Sequence, residues 1–226
     1  MNILVVAAHP DDELLGCGGT AARLAKEGHS VFFAILGEGI TSRTAKRDEA
    51  DPHAVRDLRE CSHRVADLLG AKELSMHGLP DNRFDSLELL DVIKIVEGLI
   101  ERVRPEAVYT HHGGDLNVDH QIVNKAVMTA TRPVFGQPVK ELYTFEIASS
   151  TEWAFQQLAP VFRPNVFVDI EETLTLKLQG MNVYESETRK FPHPRSSEAL
   201  TAIAHRWGSV IGRNAAEAFE AVRLIR

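Results

Sequence analysis

Cysteine is scarce in this sequence: 226 residues contain two, Cys17 and Cys61. That argues against a disulfide framework, and neither thiol has the spacing of a cysteine-rich structural zinc site. Positive charge is also short, with 25 Lys and Arg against 32 Asp and Glu for a formal charge of −7. Nucleic acid and anionic membrane both require a basic face, so neither is the expected main partner. A local basic pocket for a phosphorylated substrate stays compatible with that balance. No stretch approaches the ~18 to 20 uninterrupted apolar residues of a membrane helix. The N-terminus, Met1-Asn2-Ile3-Leu4-Val5-Val6, lacks the basic n-region and long h-region of a signal peptide. A cytoplasmic protein without a membrane partner is expected. Internal repeats, low-complexity tracts and linkers are absent too, so one domain is expected over residues 1–226.

What is present is the composition of a packed domain, 44% hydrophobic and 25% charged. Strand and helix patterns alternate from the first residue. Asn2 to Ala8 and Ser30 to Leu36 are short apolar runs that read as buried parallel strands. Weaker strands are expected at Glu73 to Met76, Ala107 to His111, Leu142 to Phe145 and Val166 to Ile170. Helices are expected over Leu14 to Lys26, His53 to Leu69, Ser86 to about Arg104, Asp119 to Thr131, Glu171 to Tyr184 and Ser197 to Ile211. Ser86 is the expected cap of the third, and Gly37 to Asp51 reads as loop. The alternation predicts a single-domain α/β fold, a Rossmann-like, mostly parallel sheet with helices on both faces. Ligands of such sheets sit outside the carboxyl ends of the strands. The loops after Ala8, Leu36, Met76 and His111 are therefore the ones to inspect.

Two of those loops are rich in ionisable groups. Ala8-His9-Pro10-Asp11-Asp12-Glu13 follows the first strand. It could be a solvated loop with Asp11 or Asp12 capping the next helix. Pro10 stiffens the turn and restricts His9, which favours a presented cluster. His111-His112-Gly113-Gly114-Asp115-Leu116-Asn117-Val118-Asp119-His120 follows a later strand. Together the two stretches offer His, carboxylate and His, enough for three protein ligands and an open position, as in a catalytic zinc site. The same set describes the facial triad of non-haem iron oxygenases. A hydrolase also wants a second carboxylate to act on the attacking water, and Asp11 supplies one.

The sequence resembles the LmbE/PIG-L zinc-dependent N-deacetylases over essentially its whole length. The likeness rests on AHPDDE at 8–13, GCGGT at 16–20, the PD at 80–81 and DLNVDH at 115–120. By position it implies His9, Asp12 and His120 as ligands of Zn2+ and Asp11 as general base. It implies a Rossmann-like fold without a bound dinucleotide, and a small-molecule N-acylated amino sugar or glycoside as substrate. It also makes a homo-oligomer a fair expectation. One departure is notable: many members carry a histidine three residues before the last ligand, where this chain has Asn117. Asn117 can donate to an oxyanion but cannot protonate an amine. The acid role then falls to Asp11 or to His193, in the stiff segment Phe191-Pro192-His193-Pro194-Arg195.

Among lesser signals, Gly16, Gly18 and Gly19 miss the dinucleotide spacing and read as packing glycines, which argues against a nucleotide-binding oxidoreductase. Arg43, Arg47, Arg56 and Arg59 read as solvated groups or as a grip for a substrate anion. Asp115 and Asp119 read as partners orienting a ligating imidazole, or as helix caps. His111 and His112 read as strand-end packing or as support behind the ligands, rather than as ligands. The expected function is removal of an acyl group, acetyl foremost, from an amino-sugar nitrogen. The alternative is a non-catalytic metal- or sugar-binding protein on the same scaffold.

Overall fold

Two apolar runs lie side by side at the centre of the sheet. In a computed structural model describing residues 1–226, β1 (Asn2–Ala7) pairs in parallel with β2 (Ser30–Gly37) and β4 (Ala107–His111). β3 (Glu73–Leu79) extends one side in parallel and β5 (Glu141–Phe145) the other. The order of the seven strands is β3-β2-β1-β4-β5-β7-β6. Side chains alternate across the sheet. Ile3 and Val5 join Leu14 and Leu15 of α1 (Asp12–Lys26), Val65 of α2 (Pro52–Leu68), Met181 of α5 (Leu174–Val183) and Leu200 of α6 (Ser197–Val210). Leu4 and Val6 face the opposite core, with Val92 and Val96 of α3 (Leu89–Val103) and Val123 and Val127 of α4 (Val118–Ala130). β1, β2 and β4 are buried on both faces, which is why β1 and β2 lack polar alternation.

The expected fold class is found, with differences at the ends of elements. Ser86 does not cap α3. It closes a 3-10 turn over Phe84–Ser86, its Oγ donates to Arg83 O (2.7 Å), and the N-cap is Glu88. α5 begins at Leu174 rather than Glu171, because Asp169 Oδ1 holds the Glu171 amide in a preceding turn (3.0 Å). The stretch after β2 contains two short 3-10 turns, Thr41–Arg43 and Arg47–Glu49. The largest difference is β7 (Ala216–Leu224), antiparallel to both β5 and β6 (Val166–Asp169), which no sequence pattern announced. Its sequence, AEAFEAVRL, is made largely of helix formers, yet Ala216, Ala218 and Phe219 are buried in the sheet. Every helix falls short of the length and apolarity needed to cross a membrane.

Candidate metal centre and its cavity

From β1 the chain winds outward to β2 and β3, and from β4 it winds the other way to β5. Their departing connections leave a crevice at the carboxyl ends of β1 and β4, the position where open α/β sheets take ligands. The turn after β1 holds Asp11 at φ 97°, a left-handed conformation that favours glycine, while the Asp11 amide donates to Glu13 Oε2 (3.1 Å). Tyr184 fixes the other Glu13 oxygen (2.6 Å), and burial pushes the Glu13 carboxyl up to about 7. On the facing side, Asn117 Oδ1 accepts the Asp119 amide (2.8 Å) and starts α4, so that His120 in its first turn meets Asp12.

His9 Nδ1 lies 3.3 Å and His120 Nε2 3.2 Å from the same oxygen, Asp12 Oδ2. All three residues are buried and their ligand atoms fall within 4.8 Å of one another. Each imidazole turns its other nitrogen to a carboxylate. His9 Nε2 is 2.9 Å from Asp119 Oδ2, and His120 Nδ1 is 3.1 Å from Asp115 Oδ1, off the line of a good hydrogen bond. Asp115 is itself clamped by Thr151 Oγ1 (2.6 Å) and Ser150 Oγ. A carboxylate behind each imidazole sets its orientation and raises its basicity, the usual support of a metal-binding histidine. Two nitrogens, one carboxylate oxygen and this support fit a divalent cation with an open coordination position. A second overlapping group, His9, Asp81 and Asp119, also falls within 4.8 Å. There His9 Nε2 would be the donor, but Asp119 already engages that nitrogen.

The charges follow from burial and neighbours. Burial pushes the His9 and His120 pKa values down. For His9, hydrogen bonds to Asp119 and Asp12 outweigh burial and hold it at about 10. For His120, the charge of Asp12 and the adjacent Asp115 carboxylate hold it at about 9. Burial pushes Asp12 up, but His120 and His111 pull its carboxyl well below the usual range. Asp11 goes the other way: burial lifts it well above the usual range against the opposing pull of Arg195. Arg195 Nη1 donates to Asp11 Oδ2 (2.7 Å), and Arg195 Nε to Ser149 Oγ (2.8 Å). Glu187 joins Arg195 (3.3 Å) to Arg43, which donates to both Glu187 oxygens (2.8 and 2.6 Å).

Residues 4–131 match the PIG-L family, described as GlcNAc-PI de-N-acetylase. The chain belongs to this family. It is 30% identical over 191 residues to the uncharacterized deacetylase YaiS of Escherichia coli K12, covering 82% of this chain and 91% of that protein. It is 26% identical to the diacetylchitobiose deacetylase of Thermococcus kodakarensis, covering 96% of this chain and 81% of that one. Among solved structures it superposes on GalB, the 4-carboxy-2-hydroxymuconate hydratase of Pseudomonas putida KT2440, with a TM-score of 0.77 at 22% identity, over 100% and 98% of the two chains. The PIG-L fold thus hosts more than one chemistry, and the reaction must be argued from the site.

A cavity of about 180 Å³ opens above the triad, and His9, Asp11, Asn117 and His120 all line it. The loops after β1, β2, β3 and β4 each contribute, through Asp11, Arg43, Asn82 and Asn117. Asn117 is partly committed, capping α4 through Oδ1 and donating Nδ2 to Asn82 Oδ1 (3.0 Å). His193 is not brought to the cavity. Its ring packs edge-on against Trp153 (5.7 Å between centroids), and its Nδ1 accepts the Arg195 amide (3.1 Å). His111 Nε2 accepts the Ala8 amide (2.8 Å) while its ring stacks on His120 (3.9 Å), and His112 bonds Glu220 (2.9 Å) and Pro160 O (2.7 Å). Arg43 lines the cavity, whereas Arg47 pairs with Glu38 (2.7 Å) outside the lining. Sequence reading missed Arg195, Glu187, Ser149 and Ser150. The late loop was noticed for its histidine, and the residue two positions on is the one that reaches Asp11.

Proposed function

We propose that this protein is a zinc-dependent hydrolase that removes a short acyl group, acetyl foremost, from the amide nitrogen of an amino sugar or its glycoside. The observation that carries the reading is Asp11, a buried carboxylate at the cavity floor beside a complete His9–Asp12–His120 triad. The deacetylases among its relatives support the same reaction class. A nitrogen and oxygen donor set of this kind suits zinc.

The cation, when bound, supplies Lewis acidity toward the amide oxygen and the attacking water. Asp11 is built as the base. Arg195 occupies Oδ2, and Oδ1 has no partner within the protein, so one oxygen is free to take the water proton. Arg195 also opposes, without cancelling, the burial that raises this carboxyl. Asn117 Nδ2 donates one hydrogen to Asn82 and keeps a second for the acyl oxygen. With His193 outside the cavity, Asp11 is the group placed to return the proton to the leaving amine. A lining dominated by polar side chains suits a hydroxyl-rich substrate.

The test is metal content of wild type beside His120→Ala, followed by acetate release from a panel of N-acetylglucosamine glycosides. Near-stoichiometric zinc that disappears in the variant, together with acetate release, supports the whole reading. Zinc without release from any glycoside of the panel favours the non-catalytic binding protein instead. Failure of both proteins to take up added zinc removes the basis of the reading.

A further inference from the structure

The loop after β5 separates two cavities. Ser149 and Ser150 line the cavity above the His9–Asp12–His120 triad, whereas Ala148 and Glu152 face a second space of about 220 Å³. Its walls are apolar, formed by Leu15 of α1, Leu200, Ile203 and Trp207 of α6, and Ala216 and Ala218 of β7. It exceeds the roughly 150 Å³ of a dry apolar cavity that takes up benzene, and the indole of Trp207 offers it an aromatic face.

Five charged side chains also border this space, and four are accounted for. Lys177 Nζ donates to Leu15 O (2.7 Å) and Glu217 Oε1 (2.6 Å). Glu217 accepts the amides of Gly19 (3.0 Å) and Thr20 (2.7 Å). Glu152 caps the amides of Ser149 (2.6 Å) and Ser150 (3.2 Å). Arg206 is exposed, with its guanidinium 4.1 Å over the Trp207 ring. Glu146 is the exception. Its Oε1 accepts Trp207 Nε1 (2.6 Å), and its Oε2 has no partner in the protein. The residue is only partly buried, so Oε2 is an acceptor open to solvent at the edge of the apolar walls, where an ammonium can replace water. Burial holds its carboxyl above the usual range, and an arriving cation would oppose that rise as well as take the free acceptor.

We propose that this cavity is a second ligand site, separate from the metal centre, for a small primary amine on an apolar body, with the body against Trp207 and the ammonium on Glu146 Oε2. A body of roughly eight carbons, a phenyl ring with a two-carbon arm, suits the space. Phenethylamine is the probe, read through Trp207 fluorescence in a Trp153→Phe background. The expected result is saturable binding, at least tenfold tighter than that of 3-phenylpropionate, which is matched in body but carries a carboxylate. Glu146→Gln, which keeps an acceptor for the indole, should weaken the amine at least tenfold. Ala204→Met, which fills the space and leaves Glu146 intact, should abolish binding. Thermal melts establish that both variants are folded. His120→Ala should leave binding unchanged. Lack of saturation, equal binding of acid and amine, undiminished binding by either cavity variant, or loss of binding in His120→Ala would each overturn the proposal, the last by placing the amine at the metal.

Discussion

Asp11 combines three unfavourable features: a left-handed backbone, near-complete burial and a neighbouring carboxylate. Such features persist when the surroundings enforce them, and they concentrate where chemistry is done. Asp11→Asn preserves the shape of the turn and removes the base. It should retain bound metal while turnover falls by about 10²- to 10⁴-fold, measured as acetate release beside metal analysis. Full activity in that variant would reassign the base. The two histidines of the proposed metal site give a pH prediction. With pKa values of about 10 and about 9, His9 and His120 both carry protons at neutral pH in the metal-free protein. Uptake of a divalent cation should therefore release about two protons and tighten as pH rises from 6 toward 9. Calorimetry in buffers of different ionisation enthalpy counts them, and release near zero would contradict the assignment. Without metal, the same raised values stabilise the fold fully below 6.5, and that contribution is lost as pH climbs through 9 and 10. The His9–Asp12–His120 cluster and the neighbouring Asp11 were legible as a group because they sit in two short stretches at strand ends. Arg195 was not, because it meets Asp11 across 184 positions and no spacing pattern spans that distance.

At the level of elements, the glycines of the loop between β4 and α4 differ in what they permit. A Cβ on Gly114 would lie 1.8 Å from Pro160 O, a backbone atom, whereas one on Gly113 would meet the side-chain amide of Asn124 at 2.9 Å. Gly114→Ala should cost about 1–3 kcal/mol and also weaken metal binding, because it shifts Asp115 behind His120. Gly98, within α3, has open space around its missing Cβ, so Gly98→Ala should stabilise by about 0.5–1 kcal/mol and leave metal affinity unchanged. Melting curves with a zinc titration on the pair separate a local effect on the site from a general effect on packing. A Gly114→Ala protein with wild-type metal affinity would show that the loop does not set Asp115. Helix interiors were legible from their apolar periodicity. Their first turns were not: Ser86 has the chemistry of a cap, but the 3-10 turn at 84–86 takes it and moves the start to Glu88.

Across the whole molecule, the parallel half of the sheet was readable because its central strands β1 and β2 are continuous apolar runs, whereas β7 was hidden by alanine and glutamate that sheet pairing overrides. That parallel half also determines what a metal would do to stability. His9 belongs to the β1–α1 connection, Asp12 to the start of α1 and His120 to the start of α4, so one cation would tie together two halves of the sheet that diverge at the crevice. An ion that binds the folded chain alone stabilises it by mass action, about 2.7 kcal/mol at a hundredfold excess over Kd. For a chain of this size that corresponds to a rise of roughly 5–10 °C in Tm. Zinc should raise the Tm of wild type and of Asp11→Asn alike, because the proposed assignment leaves Asp11 outside the ligand set, and a chelator should reverse the rise. His120→Ala should show no rise. A shift of equal size in His120→Ala would mean that the stabilising ion sits elsewhere on the molecule, and the triad would lose its role even if the enzyme proved active.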